Sequence, residues 1–170
     1  EQIELPSFIT KIEKYTFKGC SSLKQIIIPS NVTSIGMNAF RGCSLLKQIE
    51  IPSSVTSIKK NAFYECKSLE QITNMKSVKS IGRNAFAKCN SLSKISITSS
   101  VDSFGDQIFE GVESLEIVGN IENIPSNLFE ENSTLIKLTL PPTVKTIGEN
   151  AFRKCLSLTE IIIPSTVTSI

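Results

Sequence analysis

The residues of this sequence most able to do chemistry are its five cysteines. They lie at fixed intervals, the first four 23 residues apart: Cys20, Cys43, Cys66, Cys89 and Cys155. A thiolate metal site needs paired ligands such as C-x-x-C or a nearby histidine, and the chain has no histidine. A disulfide needs Cα atoms within about 7 Å and facing Cβ vectors, whereas equivalent positions of a repeat point the same way. We therefore expect free thiols that pack as small hydrophobic groups, with no metal bound.

Catalytic constellations are equally hard to build from these residues. The absence of histidine removes the commonest general base and the Ser-His and Cys-His pairs. Glu50 and Glu116 could pair as acid and base, but three repeats separate them. Glycine recurs once per repeat, as at Gly36 and Gly82, which indicates a backbone requirement rather than a phosphate loop. We predict that the chain is not an enzyme and needs no cofactor.

Charge and hydropathy indicate which classes of partner the chain is not expected to bind. The chain carries 18 basic and 16 acidic residues for a net charge of +2. We expect the two kinds of residue to be interspersed. This balance predicts no nucleic-acid binding and no attraction to an anionic membrane. The longest apolar runs, such as residues 26–28, are too short to span a bilayer, and the N-terminal residues lack the features of a signal peptide. We expect no direct membrane insertion within this segment.

A repeat of 23 residues organises the whole sequence. Its clearest marker is a phenylalanine column: Phe17, Phe40, Phe63, Phe86, Phe109, Phe129 and Phe152. One interval, from Phe109 to Phe129, is 20 residues, and aligning Ile95 with Leu115 places the three missing residues near 110–115, ahead of the strand. Residues 1–170 are therefore predicted to form one domain of about seven repeats, which we expect to be a fragment of a longer array.

Each repeat contains two kinds of segment. Alternating β-branched residues, as at Ile49 and Ile51, predict a short strand, which usually ends at a proline such as Pro52. The next apolar residues recur at gaps of three to five, which predicts a short helical or 3₁₀ turn. Units this small must stack to bury their inward residues. The sequence predicts a curved right-handed α/β solenoid, with a parallel sheet on its concave side and short helical turns on its convex side.

The repeat pattern L-x-x-I-x-I-P-x-x-V-x-x-I-G-x-N-A-F-x-x-C closely resembles the leucine-rich repeats of the BspA-like, treponemal-type family. The segment LKQIEIPSSVTSIKKNAFYEC, residues 46–66, matches it nearly throughout, and the resemblance covers essentially the whole chain. The resemblance implies a leucine-rich-repeat protein of the cell surface, or a secreted one, that takes part in adhesion to host, matrix or neighbouring-cell proteins.

The predicted binding site is the outward face of the strands, where residues vary while the inward ones repeat. The candidate partner-binding residues are Gln25, Ile27, Gln48, Glu50, Gln71, Thr73, Lys94, Ser96, Glu116, Lys137, Thr139, Glu160 and Ile162. Departures from the repeat mark two expected soft spots: residues 72–81, where Asn74 stands in place of an inward aliphatic and Met75 in place of proline, and residues 105–124.

Two other functions remain open from the residues alone. A cytoplasmic leucine-rich-repeat scaffold would hold a partner protein on the same face, and five unpaired thiols suit that compartment. A structural spacer would present domains outside this segment. The ends of the stack read as uncapped, so we also expect end-to-end self-association. Sequons begin at Asn31 and Asn132, and they do not decide between these functions.

Overall fold

The computed structural model describes residues 2–170, which form a right-handed parallel β-solenoid of about seven turns of about 23 residues. Each turn contains a long strand and a short strand. The long strands are β1 (Gln2–Glu4), β3 (Gln25–Ile27), β5 (Gln48–Glu50), β7 (Gln71–Thr73), β9 (Lys94–Ser96), β11 (Ser114–Val118), β13 (Lys137–Thr139) and β15 (Glu160–Ile162). The short strands are β2 (Lys11–Ile12), β4 (Ser34–Ile35), β6 (Ser57–Ile58), β8 (Ser80–Ile81), β10 (Ser103–Phe104), β12 (Asn123–Ile124) and β14 (Thr146–Ile147). We number turns 1 to 7 by their long strands, β1 to β13.

The predicted alternation of the long strands is confirmed. In β3 and β5 the central isoleucines, Ile26 and Ile49, are buried, while the residues on either side are exposed. Equivalent residues pair in parallel between turns, as Ile49 does with Ile72. One face of the long-strand sheet therefore contributes to the core, and the other faces solvent.

The predicted helical turns are wrong, because the described residues contain no helix. Between β4 and β5 the amide hydrogen bonds alternate: Ala39 and Arg41 donate to carbonyls three residues back, whereas Asn38, Phe40 and Gly42 donate to the next turn. A helix would need every amide to bond within the segment. Left-handed backbone at Asn38 (φ 55°) and Gly42 (φ 74°) also interrupts any helix. The apolar residues that recur at gaps of three to five therefore lie on consecutive tight turns rather than on a helix.

The short strands form a second sheet that sequence reasoning missed. Residues such as Ile35 and Ile58, assigned there to a helical face, pair in parallel from turn to turn. Gly36 follows the strand because a Cβ there would lie 2.7 Å from the backbone of Glu13 in the preceding turn. This confirms the predicted backbone requirement for glycine at this position.

The core is a continuous column that runs the length of the stack. The seven phenylalanine rings stack with centroids 5.2 to 6.0 Å apart, and Phe40 and Phe63 are completely buried. All five cysteines are free, and Cys43, Cys66 and Cys89 are fully buried, which confirms their packing as small hydrophobic groups. Each of the five inner rings thus contacts its copies above and below, and no turn completes its core alone.

Two interruptions divide the sheets. Within the described part of the chain, no backbone hydrogen bond joins β3 to β5, and none joins β10 to β12. The shortened turn also changes register: β11 pairs Ser114 with Lys137 on one side but Glu116, not Ser114, with Lys94 on the other. The alignment of Ile95 with Leu115 is therefore wrong for this pair. A slip of two residues preserves which side chains face the core, so the ladder tolerates it.

Candidate partner-binding face

The candidate site is the outer face, which we define as the outward side chains of the long strands. The structure places all thirteen predicted residues on it, either exposed or half-buried: Gln25, Ile27, Gln48, Glu50, Gln71, Thr73, Lys94, Ser96, Glu116, Lys137, Thr139, Glu160 and Ile162. They form a continuous surface because every turn contributes the same strand positions in register, apart from the slip at β11. Two of its residues are large exposed hydrophobic side chains, Ile27 and Ile162.

A groove crosses this face over turns 2 to 4. Its volume is about 640 Å³. Six of the predicted residues line it: Gln25, Ile27, Gln48, Glu50, Gln71 and Thr73. Gln71 donates to the side-chain oxygen of Gln48 at 3.2 Å, so amide groups run in a row along one side of the groove. Ile27 is 58% exposed and supplies an apolar contact beside them.

The groove lies over the interruption between β3 and β5. Its lining includes Ile26 and Ile49, although the side chains of both are buried in the core. At other junctions the residue after the strand donates across the gap, as Ile51 does to Thr73 and Ile97 does to Val118. The structure shows no such bond from Ile28 among the residues that it describes. The Ile28 amide in the lining of the groove is thus free to bond a ligand or water.

Several lining residues were not predicted from the sequence. Ser30, Pro52 and Ser53 come from the loops after the strands, where proline and serine recur in a column that could have identified them. Asn74 is not inward as expected: left-handed backbone (φ 61°) turns it outward, where it donates to Glu50 at 3.4 Å. Met75 takes the buried position and is 0% exposed. The core at turn 4 therefore stays filled.

Turns 5 to 7 present a different chemistry on the same face. Lys94 lies 3.1 Å from Glu116, and Lys137 lies 2.5 Å from Glu160. Each pair joins one long strand to the next, so these charges neutralise one another. Glu50, by contrast, has no lysine or arginine within ion-pair distance among the described residues. The part of the face that contains the groove therefore carries a carboxylate, that of Glu50, with no ion-pair partner among the described residues.

The thiols do not form a reactive site. Cys43, Cys66 and Cys89 each donate to the carbonyl of the phenylalanine one turn back, Phe17, Phe40 and Phe63, at 3.1 to 3.2 Å. Burial raises the pKa of the Cys43 thiol to about 12, with smaller contributions from its cysteine neighbours. Because the thiolate is the nucleophile and the metal ligand, the Cys43 thiol is inert at neutral pH.

Among residues 2–170, no group of three or more acidic, cysteine or histidine side chains is arranged to hold a metal ion. The same residues include no helix with the length and hydropathy to cross a membrane.

The family profile for the BspA type leucine rich repeat region matches residues 1–116 and 76–170, with six copies of the repeat. The chain belongs to the BspA-type leucine-rich-repeat family. The family match thus confirms the resemblance read from the motif and covers the turns that form the groove. A search of curated proteins gave no match.

Two solved structures are similar to this BspA-type chain. The crystal structure of the T. pallidum leucine-rich-repeat protein TpLRR shares 30% identity and a TM-score of 0.73, covering 93% of this chain and 78% of that one. The pneumococcal vaccine antigen PcpA shares 28% identity and a TM-score of 0.67, covering 98% of this chain. This chain spans about half of the PcpA structure, 51% of its length.

Proposed function

We propose that this chain is a non-catalytic protein-binding module of a bacterial-type surface or secreted protein, and that it contacts a protein partner through the groove on the outer face. The partner is a protein of a host, of the extracellular matrix or of a neighbouring cell. The observation that carries the proposal is the groove itself, where amide, carboxylate and apolar side chains meet the Ile28 amide, which has no backbone partner among the described residues.

The chemistry of the groove suits a polypeptide. The free Ile28 amide in its lining can pair with the backbone of an extended partner segment, which is how sheet edges take up peptides. The amides of Gln48 and Gln71 offer donors and acceptors at fixed positions, and Ile27 offers apolar area. The face has no tryptophan or arginine, the residues that usually anchor tight interfaces. We expect modest affinity per copy, raised by multivalent display.

Membership of the family supports the surface assignment. The pneumococcal relative is described as a vaccine antigen, a description that applies to that protein. The five free thiols do not oppose display outside the cell, because the three central ones are fully buried and bonded to carbonyl groups. Labelling of intact source cells with a membrane-impermeant amine reagent tests this part. Protection in intact cells that is lost on lysis would indicate the cytoplasmic scaffold instead.

Capture tests the groove. The chain is immobilised and exposed to matrix and host-surface protein extracts, and the retained proteins are identified by mass spectrometry. Glu50→Lys should reduce retention of a specific partner at least about tenfold, whereas Glu149→Lys, the same charge change at an exposed site away from the groove, should not. Equal retention by both variants would refute the groove as the site. Retention of nothing from any extract would favour the spacer.

A further inference from the structure

Charge is divided along the solenoid rather than mixed. Residues 1–93, which include turns 1 to 4, contain 13 basic and 6 acidic residues for a net charge of +7. Residues 94–170 contain 5 basic and 10 acidic residues for a net charge of −5. The description of the charges as interspersed is therefore wrong, because the near-neutral total hides two regions of opposite sign. A positive region of this size attracts anions to its surface.

The two regions also differ in how their charges are paired. All five cations after residue 93 form ion pairs: Lys94, Lys137, Lys145, Arg153 and Lys154. Among the cations of turns 1 to 4, the described residues show one ion pair, between Arg41 and Glu65 at 4.0 Å. Positive charge in the first four turns is therefore available to a partner.

Six of these cations lie on the turn segments that flank the phenylalanine column, away from the outer face. We name them the cationic track: Lys14, Lys18, Arg41, Lys60, Arg83 and Lys88. Each of turns 1 to 4 contributes at least one, and all six are exposed or half-buried. The phenylalanines of these turns are spaced by 5.2, 5.2 and 5.7 Å, which sets the step between successive turns of the track.

Two tyrosines position cations within the track. Arg41 and Lys88 lie over the Tyr64 ring, 4.8 and 5.3 Å from its centroid, and Lys18 lies 5.3 Å from that of Tyr15. The Tyr64 side chain also raises the pKa of Lys88, which keeps that ammonium charged. Glu13 and Glu65 are the carboxylates within these turn segments, and Glu65 approaches Arg41. Glu110 of turn 5 also acts on Lys88. The track of six cations is positive even with all three carboxylates included.

We propose that the cationic track binds a linear sulfated polysaccharide that runs along the solenoid axis across turns 1 to 4. A linear polyanion meets at least one cation at every turn, and the stacked phenylalanine rings of successive turns are 5.2 to 5.7 Å apart. Several weak charge contacts along one polymer add to a useful affinity. This surface is separate from the groove, so the proposal goes beyond the proposed function.

The same residues argue against other polyanions. Single-stranded nucleic acid binds through aromatic rings on which bases stack, but cations already cover Tyr15 and Tyr64. Anionic membranes are usually held by apolar side chains that insert beside the cations. Met37, the aliphatic side chain among the cations of the track, is half-buried. Apart from Tyr15 and Tyr64, which the cations cover, the surface offers mainly charge, which suits a sulfated polymer.

Binding of heparin to the full 170-residue chain tests the proposal, measured by titration calorimetry at increasing salt. De-sulfated heparin, duplex DNA and phosphatidylserine vesicles are the comparison probes. We expect heparin to bind, with affinity falling steeply as salt rises, and each comparison probe to bind at least about tenfold more weakly. Equal or tighter binding of de-sulfated heparin, DNA or vesicles would overturn the assignment to a sulfated polysaccharide. So would the absence of heparin binding at low salt.

Paired variants locate the site. Lys60→Glu with Arg83→Glu reverses two charges of the track, and Lys76→Glu with Lys79→Glu makes the same change in the loop between β7 and β8, outside it. We expect the first pair to weaken heparin binding at least about tenfold and to flatten its salt dependence, and the second to weaken it less than about threefold. Equal losses would refute the track. Unchanged melting curves verify that both variants fold.

Discussion

The junction between turns 3 and 4 and the junction between turns 5 and 6 show how much of the repeat is needed for stacking. At the first, both sheets are paired, and Asn61 and Phe63 donate to carbonyls of turn 4 at 3.0 and 2.8 Å. At the second, only the long strands are paired, and no backbone bond is formed from Gln107 or Phe109 within the described residues. Neighbouring copies of the same repeat are therefore joined by more backbone hydrogen bonds at the first junction than at the second.

A side chain replaces one of the lost backbone bonds at the second junction, and another preserves a contact found in the other turns. Asn132 donates to the Phe109 carbonyl at 2.9 Å, the contact that a cysteine makes in other turns, and Thr134 accepts the Gly111 amide at 3.0 Å. Pro125 stands where a glycine amide, such as that of Gly105, bonds the preceding turn, and it has no hydrogen to donate. A shortened turn can therefore stay in the stack when polar side chains complete the ladder.

Removing a phenylalanine ring should lower the unfolding free energy most, by an amount that depends on which junction the ring adjoins. Phe63→Ala is expected to cost about 3 to 5 kcal/mol of unfolding free energy, because the ring is fully buried between two others. Phe109→Ala should cost less, because the adjacent looser junction can close around the space. Urea denaturation measures both. An unshifted Phe63→Ala curve would contradict the stacking arrangement.

High pH should destabilise the turns that carry the continuous thiol column. Burial raises the pKa of Cys43 from 9.0 to about 12, so the folded state keeps a proton that the unfolded state loses. This contribution is complete below pH 9 and is lost as pH rises toward 12, by about 2 to 3 kcal/mol at pH 11 at roughly 1.4 kcal/mol per unit. Denaturation from pH 8 to 11 should show it, and Cys43→Ala should reduce the slope. An identical slope would contradict the assignment.

Truncation of Asn132 should show how much its hydrogen bonds, including the one to Phe109 that a cysteine makes in other turns, contribute to stability. Asn132→Ala leaves the Phe109 carbonyl with the Val112 amide as its one remaining donor and the amides of Thr134 and Leu135 without their acceptor, so we expect a loss of about 1 to 3 kcal/mol. Asn132→Cys should recover part of it by restoring a thiol donor to Phe109. Thermal melts compare the two. If alanine and cysteine behaved alike, the donor to Phe109 would not matter.

The exposed ion pairs of turns 6 and 7 should matter least. Lys154 holds the pKa of Glu131 below its ordinary value, so the pair stabilises the fold above that ordinary pKa and loses its effect as pH falls through the lowered one. Both side chains are exposed, and solvent screens them. Lys154→Ala should leave the melting temperature at pH 7 unchanged within error. A clear shift would mean that these ion pairs, rather than the side-chain hydrogen bonds of Asn132 and Thr134, stabilise the acidic region.

The strands and the buried columns could be predicted because stacking repeats each inward residue at the same position, as the phenylalanines show. The helical turns could not, since a spacing of three suits a helix and a run of tight turns alike; the left-handed asparagines, Asn38 among them, decide between them. The outward residues were placed correctly, but the groove was not foreseen. It depends on the missing bonds between β3 and β5, to which no residue type points.

Amide hydrogen exchange, resolved to single residues, tests most directly the claim that one repeat stacks through two unequal junctions. The amides of Asn61 and Phe63 bond the next turn, whereas those of Gln107 and Phe109 do not. We predict exchange at least about a hundredfold faster at the second pair, since an unbonded amide needs no unfolding to exchange. Equal protection at both pairs would show that the stack is uniform and would contradict the account.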